Sequence, residues 1–227
     1  YLQIGAECSK CYSYYTYQCD SLMASPNGDK LWDSFLTEAV GKGLKGKQLY
    51  NAIPHRRMSA TIYKNYPQGK ITVTDFLLGQ YYLYEDALNS QEWNIESDSM
   101  KVVLGHECQK ATCSFRGRKW TAWFALDVPV SDGPLKFCGL PGLIMEVYDR
   151  GKQYYFCING MQQVGAKPIT FGVLDKEFKR FQKTTRKDFL QSKYKYLKNR
   201  NSINEASTGI SLGGSDEALK YDLIEKE

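Results

Sequence analysis

Histidine is nearly absent from this chain: its 227 residues include only His55 and His106, in distant segments. A zinc site wants four ligands, commonly two Cys-x-x-Cys pairs or one pair completed by histidines. Cys8-x-x-Cys11 with Cys19 therefore reads as structural cysteine, disulfide-bonded or buried as thiol, rather than as a metal centre. Long apolar runs are missing too, and none approaches the roughly 18 to 20 residues that a membrane-spanning helix needs. There is no Gly-x-Ser-x-Gly, no His-Glu-x-x-His and no phosphate-binding loop. Zinc fingers, RNP motifs and internal repeats are likewise lacking, so no nucleic-acid partner is expected. Nothing in the sequence asks for a metal or a cofactor.

Aromatic residues, by contrast, are plentiful, with 17 Tyr, 10 Phe and 4 Trp among 42% apolar and 24% charged residues. That is the composition of a globular domain able to bury a core. The length predicts a single domain over 1–200, followed by a flexible linker and a short C-terminal segment over 201–227. The net charge of +5 is concentrated: 11 Lys/Arg against 3 Asp/Glu lie between Lys167 and Arg200. Such a segment reads first as a solvated amphipathic face. Seven cysteines are many for a reducing compartment and few for a disulfide-built miniprotein, and an odd number cannot all pair internally. The opening Tyr1 is compatible with an upstream segment removed on export, or with trimming.

Leu31, Trp32, Phe35, Leu36, Ala39 and Val40 form one helical stripe after the turn cluster at Ser25–Asp29. They predict a helix over about 29–41, with Asp29 as N-cap and a mobile loop over Gly41–Gly46. Short Tyr-, Val-, Ile- and Thr-rich runs then predict strands at 58–64, 70–77, 80–85, 100–104, 107–115, 119–126, 143–149 and 152–158. No helical pattern lies between them, so the sheet is expected to be antiparallel. Thr185 caps a basic helix over 186–198, with Phe189, Leu190, Tyr194 and Leu197 on one side. The fold class is mainly β (a β-rich α+β chain): a single curved antiparallel sheet or open barrel-like sheet with two peripheral helices.

Two hairpins can be worked out in register. A two-residue loop at Gly117-Arg118 pairs Arg116 with Lys119. Ala111, Cys113, Phe115, Trp120, Ala122 and Phe124 then share one face, and Lys110, Thr112, Arg116, Thr121 and Trp123 share the other. Cys108 and Cys113 have opposite parity and cannot bond to each other. A second loop at Arg150-Gly151 sets Leu143, Met145 and Val147 against Ile158, Phe156 and Tyr154. Leu140-Pro141-Gly142-Leu143 has the residues of a type II turn, which makes Gly139 and Gly142 corner-turning backbone.

These segments resemble a known family. Cys108-Gln-Lys-Ala, Phe115-Arg-Gly-Arg, Trp120-Thr-Ala-Trp123, Val130-Ser-Asp-Gly-Pro134 and the hexapeptide Gly139, Leu140, Pro141, Gly142, Leu143, Ile144 look like the GLPGLI family of exported Bacteroidetes proteins. The likeness is densest over 93–160. Cys11 and Cys138 depart from its pattern. The resemblance implies a periplasmic or secreted location and an antiparallel β architecture, and it brings no activity and no catalytic residues.

His106 and Cys108 share a strand face, but about 6 to 7 Å between their Cβ atoms is long for proton transfer in a Cys/His pair. The ligand-binding candidates are Lys110, Arg116 and Trp123 on the polar face of the first hairpin, with Asp132 nearby in sequence. Donors, a charge and an aromatic on one surface suit an anionic or peptide-like ligand. The leading expectation is a non-enzymatic binding or accessory protein of the cell envelope for a peptide, a lipid-like molecule or an envelope partner. A hydrolase-type enzyme with an unrecognised site and an assembly module completed by a partner strand are the alternatives.

Overall fold

Three two-residue turns of one kind shape the chain. Leu78-Gly79, Leu104-Gly105 and Arg116-Gly117 all have positive φ, at 51° and 79°, 51° and 83°, and 51° and 72°. Such turns match the twist of the strands they join, and glycine at the second position takes the left-handed backbone without a Cβ penalty. In the computed structural model, which describes residues 1–165, 168–169, 181–208 and 223–226, these turns close three hairpins. They join β4 (Lys70–Leu77) to β5 (Gln80–Ala87), β6 (Asn94–Val103) to β7 (His106–Phe115), and β7 to β8 (Arg118–Ala125).

The chain is mainly β, as its sequence predicts. Its strands divide between two sheets instead of one, and no closed barrel forms among the described residues. With β1 (Leu2–Ile4), β2 (Ser9–Cys11), β3 (Thr61–Lys64) and β11 (Gln182–Lys183), the first sheet runs β1-β2-β3-β4-β5-β11. With β9 (Leu143–Asp149) and β10 (Tyr155–Cys157), the second runs β10-β9-β8-β7-β6. Among the described residues every pairing is antiparallel except β11 on β5, a parallel exception that the strand pattern does not reveal.

Both predicted hairpin registers shift by two residues. Arg116-Gly117, not Gly117-Arg118, is the first loop, because the glycine is needed at the second turn position. A shift of two keeps the paired side chains of β7 and β8 on their predicted faces. The second loop is wider, pairing Tyr148 with Tyr155, because the Asp149 carboxylate accepts from the Tyr154 amide at 2.8 Å. A bulge opposite Trp123 and Phe124 then turns Leu143 and Met145 to one face and Ile144 and Val147 to the other.

The helices are α1 (Tyr14–Met23), α2 (Gly28–Gly41), α3 (Gly46–Ala52), α4 (Arg186–Lys198) and α5 (Arg200–Thr208). Residue Asn27, not Asp29, is the N-cap of α2. Thr185 caps α4 as predicted, accepting from the Asp188 amide. Phe189 is its buried anchor, while Tyr194 is exposed and Tyr196 packs inward. Residues 201–208, read from sequence as linker, lie on α5; residues 209–222 of that segment lie outside the described residues.

Among the described residues the core has three parts. Ala111, Cys113, Trp120, Phe124, Phe137, Leu140 and Val147 fill the inner face of the second sheet. Ile62, Ile71, Val73, Tyr84 and Phe189 lie on the first sheet. Val103, Cys108, Ala125, Leu143 and Met145 cover one end of the outer face of the second sheet. Cys108 and Cys113 do lie on opposite faces, and all seven cysteines are free thiols. The connection from Val128 to Gly142 joins two of the clusters, placing Leu135 against one and Phe137 and Leu140 in another.

Candidate functional site

The outer face of the second sheet carries two side-chain rows that cross all five strands. The register aligns Glu96, Lys110, Trp123, Glu146 and Cys157 in one row. Asn94, Thr112, Thr121, Tyr148 and Tyr155 form the next. Lys110 and Trp123, both singled out from sequence, are direct cross-strand neighbours here. Residues two apart on a strand share a face, so hydroxyl, amide, aromatic and charged groups are laid out side by side.

Charges within this face are internally matched. Lys110 pairs with Glu96 at 2.9 Å, and Lys101 pairs with Glu146 at 2.6 Å while lying 4.8 Å over the Trp123 ring. Tyr148 and Tyr155 stack with ring centroids 6.0 Å apart. The half-exposed Tyr155 phenol is pushed up to about 12, first by desolvation at the sheet surface and then by Glu146 and Cys157 beside it. The Trp123 indole nitrogen is buried and donates no hydrogen bond. Buried polar groups normally have partners, so an unmatched donor in the middle of a polar row calls for an explanation. Sequence parity finds Lys110 and Trp123; Glu146 and Lys101 arrive through cross-strand register that a single strand does not encode.

The other two sequence candidates lie elsewhere. Arg116 sits at the hairpin turn, 3.2 Å from Asp86 and 3.8 Å from Glu225. Asp132 is buried in the β8–β9 connection, where its carboxylate meets Lys64 and accepts from the Gly133 amide at 2.6 Å. It also borders an open pocket of about 280 Å³ lined by Ser9, Lys64, Asn65, Ser131 and Cys138 among others. His106 and Cys108 form no working pair: His106 Nδ1 lies 2.7 Å from Asp127, and the Cys108 thiol is fully buried, which pushes it up. Among the described residues no three His, Cys, Asp or Glu side chains are placed to hold a metal ion.

The hexapeptide Gly139–Ile144 ends the β8–β9 connection and enters β9. Gly139 has φ of 91°, a conformation open to glycine. Gly142 does not have positive φ, so the predicted type II turn is absent. Its glycine is needed because a Cβ there would run into the Ala125 carbonyl oxygen. Ile144 donates its amide to Asp132 O at 2.9 Å, and a Cβ on Gly133 would meet the Ile144 side chain at 2.8 Å. The Ser-Asp-Gly-Pro and hexapeptide motifs are therefore two halves of one packed corner.

A family model described as a protein of unknown function (Porph_ging) matches residues 116–146, from the β7–β8 turn through this corner into β9. No curated protein matches the chain. Two solved structures, "Structure of PNGF-II in P21 space group" and "Structure of PNGF-II in C2 space group", are similar at 13% and 14% identity with TM-scores of 0.42. Each similarity covers 63% of this chain and 26% of the other, so the chain spans about a quarter of their length. Likeness at that level carries no argument about activity.

Proposed function

We propose that the chain is an exported cell-envelope protein of the GLPGLI type, acting in the periplasm or outside the cell as a non-enzymatic binding module. Its ligand is a peptide segment laid on the outer face of the second sheet. The observation that carries this reading is the buried Trp123 indole N–H without an acceptor, set between Lys110 and Glu146. A peptide carbonyl supplies the missing acceptor once the side chains covering the indole nitrogen move aside. Thr112, Thr121 and Asn94 in the adjoining row offer donors and acceptors to a main chain, and the Tyr148–Tyr155 stack offers a flat apolar platform. The matched charges favour a neutral peptide stretch over a strongly anionic ligand. A peptide is preferred to a lipid because the pocket beside Asp132, although Ile4, Leu88 and Val130 contribute to its wall, also carries Glu7, Lys64 and Asp132, and such charged groups do not suit an acyl chain.

Trp123→Phe keeps a ring in place and removes the N–H. Peptides cross-linked to the wild-type protein in the envelope fraction should fall at least tenfold in yield with the variant. Equal yields would remove Trp123 from the site.

A further inference from the structure

The second-sheet hairpin ends in a recess filled by a distant piece of the chain. Lys136, buried, lies 2.7 Å from Asp86 and 2.6 Å from Glu225, with the Tyr84 hydroxyl at 3.3 Å. Arg116 and Arg186 complete the ring at 3.2 and 3.4 Å from Asp86. Three cations thus surround two carboxylates, and one of these belongs to the segment 223–226. That segment is held as a peptide ligand would be. The buried Arg118 guanidinium donates to the carbonyls of Leu223 and Ile224 at 2.7 and 3.0 Å. The Lys226 amide donates to Arg116 O at 3.1 Å, and Ile224 packs against the aromatic core of the sheet.

The Glu225 fit is incomplete. Arg116 Nε and Arg186 Nη1 approach its Oε2 at 3.8 and 3.6 Å, beyond hydrogen-bond length, and all three atoms are buried without a hydrogen bond. Without Glu225, Lys136, Arg116 and Arg186 would face Asp86 alone, and buried unpaired charge strongly favours recapture of a carboxylate. The segment is four described residues outside any strand or helix, held by its contacts with Arg116, Arg118, Lys136 and the neighbours of Ile224, and such pieces open at lower cost than the fold as a whole.

The geometry points to a recognition site for an apolar–Glu peptide segment of a partner protein, held shut by the chain's own Ile224-Glu225 acting as a competitor in cis. The site is distinct from the Trp123 row. Arg118 lies five positions before Trp123 on β8 and so on the opposite face, and the two sites can fail independently.

The probe is a blocked peptide with the sequence of residues 221–227, compared with the same peptide carrying Gln for its first Glu. Glu225→Gln weakens the competitor, so the full chain with this change should bind the Glu peptide at least tenfold more tightly than wild type does. The same variant should bind the Gln peptide at least tenfold more weakly than the Glu peptide. Lys136→Met should abolish binding, whereas Trp123→Phe should leave it unchanged. A second measurement needs no variant: the Glu peptide should speed hydrogen exchange at the Lys226 amide of the wild-type chain as it displaces the segment. Equal binding of the two peptides, or Lys226 exchange unmoved by millimolar Glu peptide, would make the segment a permanent clamp and overturn the proposal. Dimers formed by exchange of the segment, seen by sedimentation, would overturn the assignment of a separate partner.

Discussion

Lys64, on β3 of the first sheet, and Asp132, in the β8–β9 connection that packs against the second, form a buried ion pair. Lys64 also donates to the carbonyl oxygens of Gly133 and Phe137. The Lys64 ammonium finds its acceptors in the connection and the Asp132 carboxylate finds its counter-charge on β3, so the pair ties the two sheets together at the motif corner.

Removing one partner leaves the other buried and unpaired. Asp132→Leu alone should therefore destabilise by about 3 to 5 kcal/mol, and Lys64→Met with Asp132→Leu by clearly less. Urea unfolding of both variants checks this. A double variant as unstable as the single one would mean that the pair does not act as a unit.

Gly142→Ala should be the most damaging glycine substitution in the corner, because its Cβ would collide with rigid backbone at Ala125. A loss above about 3 kcal/mol is expected, in the range reserved for named steric causes. Gly139→Ala meets nothing closer than 3.6 Å and carries only the strain of its left-handed backbone, about 1 to 3 kcal/mol. Thermal melts of the two variants should rank them in that order.

Alkaline pH should unfold the protein early. Burial pushes the Cys113 thiol from 9.0 up to about 12, and the thiols of Cys108 and Cys138 rise for the same first cause. A group whose folded value is raised holds its proton in the native state while the unfolded chain has lost it. The stabilisation from Cys113 is therefore complete below about pH 9 and declines between pH 9 and 12, at about 1.4 kcal/mol per pH unit, and that from Cys108 and Cys138 falls in the same direction above pH 9. Cys113→Ala in parallel urea titrations at pH 8 and 10.5 should show a smaller drop than wild type.

Thiol labelling should follow exposure. Cys157 is exposed and Cys8 is partly so, while Cys11, Cys19, Cys108, Cys113 and Cys138 are buried. A brief treatment of native protein with a maleimide should modify Cys157 first, and the five buried thiols only on unfolding. Early labelling of Cys113 would contradict the placement of its hairpin face.

Where periodicity is local and the burial one-sided, the sequence was enough. The faces of the β7–β8 hairpin, the strand spans at 70–77 and 143–149 and the Thr185 cap follow from alternation and capping chemistry. The helix α1 was hidden because its buried residues are Thr16 and Cys19, not an apolar stripe. The face swap at Met145 was hidden because a bulge leaves no mark in a run that is apolar on both sides. For the site, parity placed Lys110 and Trp123 together. Nothing local could show that Asp132 is sequestered by Lys64, or that Arg116 meets Glu225, because both contacts join residues far apart in the chain.

Native mass spectrometry of the protein purified from its own cells, before and after denaturation, tests the binding account most directly. Wild type should carry a peptide-sized mass that is lost on unfolding. Trp123→Phe should lose that mass in the native spectrum, and Lys136→Met should retain it. A wild-type spectrum free of bound mass, or one unchanged by Trp123→Phe, would contradict the assignment of the outer sheet face as a peptide-binding surface.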